Sequence, residues 1–339
     1  MKILMPEANT LTKGDVDLSA FEEFGDVVTL LNPSREEIKK EIADADAIFV
    51  NKTVLNEELL SDAKNLKYVG ECATGYNNID VEYCKANGIT VTNVPDYSTN
   101  AVAQQVFAYI LAHYSKVSEY NEFVANDGWV NSTTFAPFEF PTDELFGKTI
   151  GLVGYGKIGK AVAKIANAFG MNVLVYTRSY GKALEMSKDS RGETDKTMLE
   201  GFLNRADSYV TYVSFENLLK HSDIVSVHCP LNAESENLFN AETLSKMRKG
   251  SFFINTARGP VVNEQDLKDA LDSGRLSGAA VDVVKKEPME KDCPLKGHPK
   301  CIVTPHVAWA PESTRKRLVS VVLKNYEKFL KGAPQNTVD

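Results

Sequence analysis

Cysteine is sparse in this 339-residue chain: Cys72, Cys84, Cys229, Cys293 and Cys301 form no C-x-x-C pair and no metal-ligand spacing. An odd, dispersed set excludes a disulfide framework and predicts a reducing compartment with no metal centre. No run of eighteen apolar residues occurs, so nothing reads as a membrane span. The opening Met-Lys-Ile-Leu-Met-Pro-Glu is too short an apolar run for a signal peptide, and the expectation is a soluble, cytoplasmic protein. Basic residues are in the minority: 38 Lys and Arg against 46 Asp and Glu give a net charge of −8. That argues against a nucleic-acid scaffold, which carries a basic face. What is present, 43% hydrophobic and 25% charged residues, excludes disorder and collagen-like structure and describes a chain able to bury a full core. At roughly 150 residues per domain, the length predicts two domains.

Short β-branched runs alternate with amphipathic stretches. Residues 2–5, 27–31, 47–50, 67–69 and 89–92 read as buried strands. Segment 34–43 between them has helical composition, with Ser34 as N-cap ahead of Glu36 and Glu37. A long apolar helix is expected at 100–114, followed by an irregular, aromatic-rich stretch at 127–143 containing Trp129, Phe135, Phe138 and Phe140. A second strand series follows at 149–153, 172–176, 224–228, 251–256, 279–283 and 301–304, and a helix over 311–330 closes the pattern. Alternation of strands and helices predicts parallel sheets with helices on their faces. The strongly charged stretch 181–208 interrupts this series and reads as a solvated insertion.

Gly154-Tyr-Gly156-Lys157-Ile158-Gly159 is a G-x-G-x-x-G motif that directly follows an apolar strand and opens an amphipathic helix. In that context it is the dinucleotide-binding fingerprint. Gly154 makes the tight turn, Gly156 lets a pyrophosphate approach the backbone, and Gly159 permits close helix packing, with the phosphates at the positive helix N-terminus. About twenty residues on, an Asp or Glu would normally bind the ribose 2′-hydroxyl. Here Thr177 occupies that position and Arg178 follows. Arg178 can pair with a 2′-phosphate, so NADP(H) acceptance is expected with NAD(H) not excluded. A solvent-facing Arg178 is the competing reading.

Three more motifs fall at expected strand ends: Asn255-Thr256-Ala257-Arg258-Gly259, Val281-Asp282 running to Glu287-Pro288, and Thr304-Pro305-His306. An Arg, a Glu and a His at successive strand ends can converge on one site. With these motifs in this order, the sequence resembles the D-isomer-specific 2-hydroxyacid dehydrogenases over nearly the whole chain, closest to the glycerate dehydrogenase/hydroxypyruvate reductase branch. The stretches Thr74-Gly75-Tyr76-Asn77-Asn78-Ile79-Asp80 and Ala308-Trp309-Ala310 agree.

The resemblance implies roles that the chemistry allows. Arg258 would hold a 2-oxoacid carboxylate and polarise its carbonyl. His306 would be the general acid in reduction, oriented by Glu287, which would also favour the charged imidazole. Thr256, Ala257 and Asp282 would contact the nicotinamide side of the cofactor, with Cys229-Pro230 as a wall along that edge. Thr74, Gly75 and Tyr76 would bind the substrate carboxylate through backbone amides, and Lys52 would add charge there, a plain surface lysine being its alternative. The implied fold is two Rossmann-like or flavodoxin-like α/β domains with parallel sheets. The cofactor domain (100–305) is inserted into a discontinuous substrate domain (1–99 and 306–339), and the assembly is a homodimer through the cofactor domain.

The expected reaction is NAD(P)H-dependent reduction of hydroxypyruvate or glyoxylate, with D-lactate or another D-2-hydroxyacid as the alternative. Phosphoglycerate is a weaker expectation, and formate is disfavoured because Glu287 stands where that branch has Gln. The reading from another class is a cofactor-sensing interaction protein like the corepressors that share this fold.

Overall fold

A computed structural model describes residues 1–186 and 207–338. The chain divides into two compact units, one of Met1–Ser98 with Trp309–Asp339 and one of Thr99–Ala308.

The first unit is built on a five-stranded parallel sheet of β1 (Lys2–Met5), β2 (Asp26–Thr29), β3 (Ala47–Val50), β4 (Tyr68–Glu71) and β5 (Thr90–Thr92), in the order β2-β1-β3-β4-β5. This is the flavodoxin-like order, in which ligands sit beyond the carboxyl ends of the strands. Successive residues of a strand point to opposite faces. Ile3, Met5, Ala47 and Phe49 accordingly enter one apolar cluster, and Leu4, Ile48 and Val50 another. The helix Glu312–Leu330 returns to this unit and packs Leu318, Val322 and Tyr326 into the first of these clusters. Ser34 begins the helix Arg35–Ile42 with a full capping box, its hydroxyl accepting from Glu37 N and the Glu37 carboxylate accepting from Ser34 N.

The second unit holds a seven-stranded parallel sheet: β6 (Thr149–Val153), β7 (Asn172–Tyr176), β8 (Val210–Tyr212), β9 (Ile224–Val227), β10 (Ser251–Asn255), β11 (Leu276–Val281) and β12 (Cys301–Val303). Its order is β12-β11-β10-β9-β6-β7-β8, so the chain runs outward one way through β7 and β8 and then the other way from β9. The reversal lies between β6 and β9, the topological switch point at which doubly wound sheets bind dinucleotides. Ile150 and Leu152 pack on one face with Val162 and Ala166 of the helix Lys157–Ala168, while Val225 and Val227 pack on the other.

Some expected bounds shift. β8 has no counterpart in the sequence reading. β11 starts at Leu276 and ends at Val281, against an expected 279–283. Of the charged stretch 181–208, residues 187–206 lie outside the described residues, while 181–186 complete the helix Arg178–Met186. Residues 306–308 belong to the second unit, against an expected return to the first at 306. The cause is Asp282, whose backbone and side chain bind His306, Val307 and Ala308. Among the described residues no helix is long and apolar enough to cross a membrane.

Candidate active site

The glycine loop occupies the switch point, and each of its glycines has a separate physical reason. Gly154 has φ +103°, and a Cβ there would lie 2.7 Å from the His228 carbonyl. A Cβ on Gly159 would lie 2.5 Å from Gly154 O. Gly156 caps the helix Lys157–Ala168, and a Cβ on it would meet nothing within 4 Å. The loop therefore presents open space at a helix N-terminus, where backbone N–H groups and the helix dipole favour an anion. Beside it, His228 shares a 2.9 Å contact with Ser226 Oγ, and burial pushes its pKa down to about 4, so it stands neutral. Burial also pushes the Cys229 thiol up, which suits a wall rather than a nucleophile.

At the end of β7, Thr177 is a helix cap: its Oγ1 accepts from Tyr180 N at 3.2 Å. Arg178, the first residue of that helix, is not a lone cation. Its Nη1 lies 3.2 Å from Glu234 Oε2, and Lys182 Nζ lies 3.1 Å from the other oxygen of the same carboxylate. This cluster is invisible in the sequence, where Glu234 stands 52 and 56 residues from its two partners.

Arg258, Glu287 and His306 follow three neighbouring strands, β10, β11 and β12, at their carboxyl ends. Asn255, the buried last residue of β10, shapes the Arg258 loop by donating to Arg258 O at 2.9 Å and accepting from Ala257 N at 3.0 Å. One guanidinium nitrogen of Arg258 donates to Ala257 O at 2.8 Å. The next residue brings the two loops into contact, since a Cβ on Gly259 would lie 1.9 Å from Val284 O. Glu287 Oε1 accepts from Val284 N at 3.2 Å, and its Oε2 lies 2.6 Å from His306 Nδ1. The ring is thus held at Nδ1, which leaves Nε2 as its other proton position.

His306 itself has φ +54°, an unusual backbone for a non-glycine residue. Asp282 sustains it: its carbonyl accepts from His306 N at 2.7 Å. Its carboxylate accepts from Thr304 Oγ1 at 2.5 Å and from the backbone N–H groups of Val307 and Ala308, each at 2.9 Å. Tyr109, on the helix Thr99–Ser115, hydrogen-bonds Thr304 from the other side. The sequence marks Thr304 only as a neighbour of His306 and does not mark Tyr109 as a site residue, because no local spacing links the two.

In the first unit, Lys52 follows β3 and Thr74-Gly75-Tyr76 follows β4, at adjacent strand ends. Asn78 ties the two loops, its amide donating to Thr53 O (3.1 Å) and Glu71 Oε2 (2.9 Å). Thr74 Oγ1 donates to Val94 O at 2.8 Å, and no protein acceptor among the described residues takes the backbone N–H of Gly75 or Tyr76. The Lys52 amide, with those of Asn51 and Thr53, donates to Glu7 Oε1. Glu71 is fully buried and one of its oxygens has no partner, and desolvation pushes its pKa up to about 8.

The family model described as D-isomer specific 2-hydroxyacid dehydrogenase, NAD binding domain, matches residues 107–308. The chain belongs to this family. A hydroxypyruvate reductase of Blautia hydrogenotrophica is 38% identical over 342 aligned residues, covering 100% of both chains. Among solved structures, the TT0316 protein of Thermus thermophilus superposes with a TM-score of 0.83 at 32% identity, and an acyclic imino acid reductase (Bsp5), in complex with NADPH and D-Arg, with 0.81 at 30%. Each covers 100% of both chains. In this dehydrogenase the residues present fit a nicotinamide dinucleotide: the loop at Gly156 leaves room for phosphates, and Thr256 Oγ1 is buried without a protein partner. Among the described residues no group of His, Cys, Asp or Glu is arranged to hold a metal ion.

Proposed function

We propose that this dehydrogenase reduces a small 2-oxoacid, hydroxypyruvate or glyoxylate, to the D-2-hydroxyacid, and runs in reverse. The single observation that carries the mechanism is the 2.6 Å His306–Glu287 pair at the strand ends shared with Arg258. A bound nicotinamide supplies the hydride. His306 Nε2–H protonates the carbonyl oxygen as negative charge develops there, Glu287 holds the imidazole in that orientation, and the Arg258 fork binds and polarises the oxoacid. The Gly154–Gly159 loop takes the pyrophosphate, and Lys157, Ile158, Thr256, Ala257 and Cys229-Pro230 line the cofactor's path. Asp282 acts by fixing the His306 loop in addition to lining that path. In the first unit, the amides of Gly75 and Tyr76, with Thr74 and Lys52, form a carboxylate nest.

Thr177 and Arg178 in place of an acidic residue support acceptance of NADP(H) beside NAD(H), as does the NADPH complex of the imino acid reductase relative. The exposed Trp129, Phe135 and Phe138 support a homodimer through the second unit, and five unpaired cysteines fit the cytoplasm. A panel of 2-oxoacids assayed with NADH and NADPH tests the reading on wild type and His306→Ala. Turnover with hydroxypyruvate or glyoxylate, lost in the variant while cofactor still binds, is the expected result. Cofactor binding without oxidation in the presence of any oxoacid would overturn it in favour of a cofactor sensor.

A further inference from the structure

Glu234 is fixed on a hydrogen-bonded turn after β9. Asn232 Oδ1 accepts the backbone N–H groups of Glu234 at 3.0 Å and Ser235 at 3.1 Å. Ser235 Oγ donates to Pro230 O at 2.7 Å and accepts from Asn232 N at 2.8 Å. Because the sheet order is β9-β6-β7, a carboxylate that starts beyond β9 and reaches Arg178 beyond β7 spans the strand that carries the glycine loop. The end of β7 is where a dinucleotide's adenosine ribose rests in this kind of sheet.

Arg178 and Lys182 are four residues apart on one helix, hence on one face, where two like charges repel. Glu234 relieves that repulsion by meeting one cation with each oxygen, and the two cations hold its carboxyl below the usual carboxylate range. The geometry of two cations converging on one anion is also what a phosphate monoester requires.

We propose that Glu234 is a selectivity gate for the cofactor: its carboxylate occupies Arg178 and Lys182 in the place of a ribose 2′-phosphate and so holds down the NADP(H) preference these cations confer. Lys182 is the second cation of that phosphate site. The gate can be displaced because the Arg178 and Glu234 side chains are 60% and 53% exposed, and an ion pair so open to water holds only weakly. A phosphate brings more charge than a carboxylate and an additional acceptor oxygen, whereas the bare hydroxyl of NAD(H) offers the cations no charge. The inference rests on the reading of Thr177 and Arg178 as the ribose end of the cofactor site.

Calorimetric titration of the full chain with NADP⁺ and with NAD⁺, alongside kcat/KM for NADPH and NADH, tests it. Glu234→Gln should shift the affinity ratio toward NADP⁺ by about three- to tenfold, the range expected for relieving two exposed ion pairs, and the shift should shrink at high salt. Lys182→Ala should move the ratio toward NAD⁺ and reduce the gain from Glu234→Gln in the double variant. An unchanged ratio in Glu234→Gln overturns the gate. So does weaker NAD⁺ binding in that variant, which would make Glu234 the acceptor for a ribose hydroxyl. Arg178→Ala separates the two levels. If it lowers the NADP⁺ share while Glu234→Gln does nothing, the gate alone fails; if it too leaves the ratio unchanged, the reading beneath it fails as well.

Discussion

Asp282 grips the backbone of His306 from a strand away: its carbonyl accepts the His306 amide at 2.7 Å while its carboxylate binds the next two amides and the Thr304 hydroxyl. A residue 2% exposed thus sets the path of the whole loop that carries the imidazole. Asp282→Ala should leave the buried Ala308 N–H without an acceptor, at a cost of about 1–3 kcal/mol. The expected outcome is a lower Tm together with a large fall in kcat, read by calorimetry and steady-state assay. Full activity at an unchanged Tm would refute the positioning role.

His306 combines two requirements, a titratable ring and a backbone at φ +54°. Asparagine tolerates that left-handed region better than alanine does. Both His306→Asn and His306→Ala should lose about 10²–10⁴-fold in turnover, the range for removing a positioned acid. His306→Asn should unfold at a higher temperature than His306→Ala. Equal melting temperatures would show that the local backbone carries no strain.

Gly259 holds the Arg258 and Glu287 loops together by having no side chain. A Cβ at 1.9 Å from the Val284 carbonyl cannot be absorbed by a rotamer change, because the obstacle is backbone. Gly259→Ala should destabilise the second unit by about 1–3 kcal/mol, as overpacking does. It should also raise KM for the oxoacid and lower kcat by parting Arg258 from the Glu287–His306 pair. Wild-type kinetics in a folded variant would show that the spacing of the two loops does not matter.

What is legible in the sequence follows from how local each signal is. The Ser34 capping box spans four residues, and the glycine loop lies between a strand and a helix whose patterns are themselves periodic, so both can be read from neighbours. Arg258, Glu287 and His306 are placed by motif at strand ends, and β10, β11 and β12 do run side by side. The contacts that tune the site are hidden because their partners are distant in the chain. Arg178 with Glu234, and Tyr109 with Thr304, are separated by 56 and 195 residues. β8 escapes notice because it directly follows the charged stretch 181–208, which shows no strand pattern of its own. The return crossing falls later than the sequence suggests because nothing local announces that Asp282 captures residues 306–308.

Glu71 yields a prediction with a definite sign. It sits fully buried beside the loops of Lys52 and Thr74–Tyr76, with Asn78 donating to one oxygen and nothing to the other. Desolvation is the largest cause of its rise from 4.5 to about 8, the Glu7 carboxylate adds to it, and Asn78 and Lys52 oppose it. The fold therefore prefers the neutral acid. As pH climbs past 4.5 the unfolded chain ionises this group freely and the folded chain does not, so stability drains away until pH reaches about 8, where both states carry the charge. Glu71→Gln removes the proton from this balance while keeping the acceptor for Asn78. Relative to wild type, its Tm should rise steadily between pH 5 and pH 8, the side chain being neutral at both. A Tm difference that stays constant across that window would mean that Glu71 ionises in the folded protein as readily as in water.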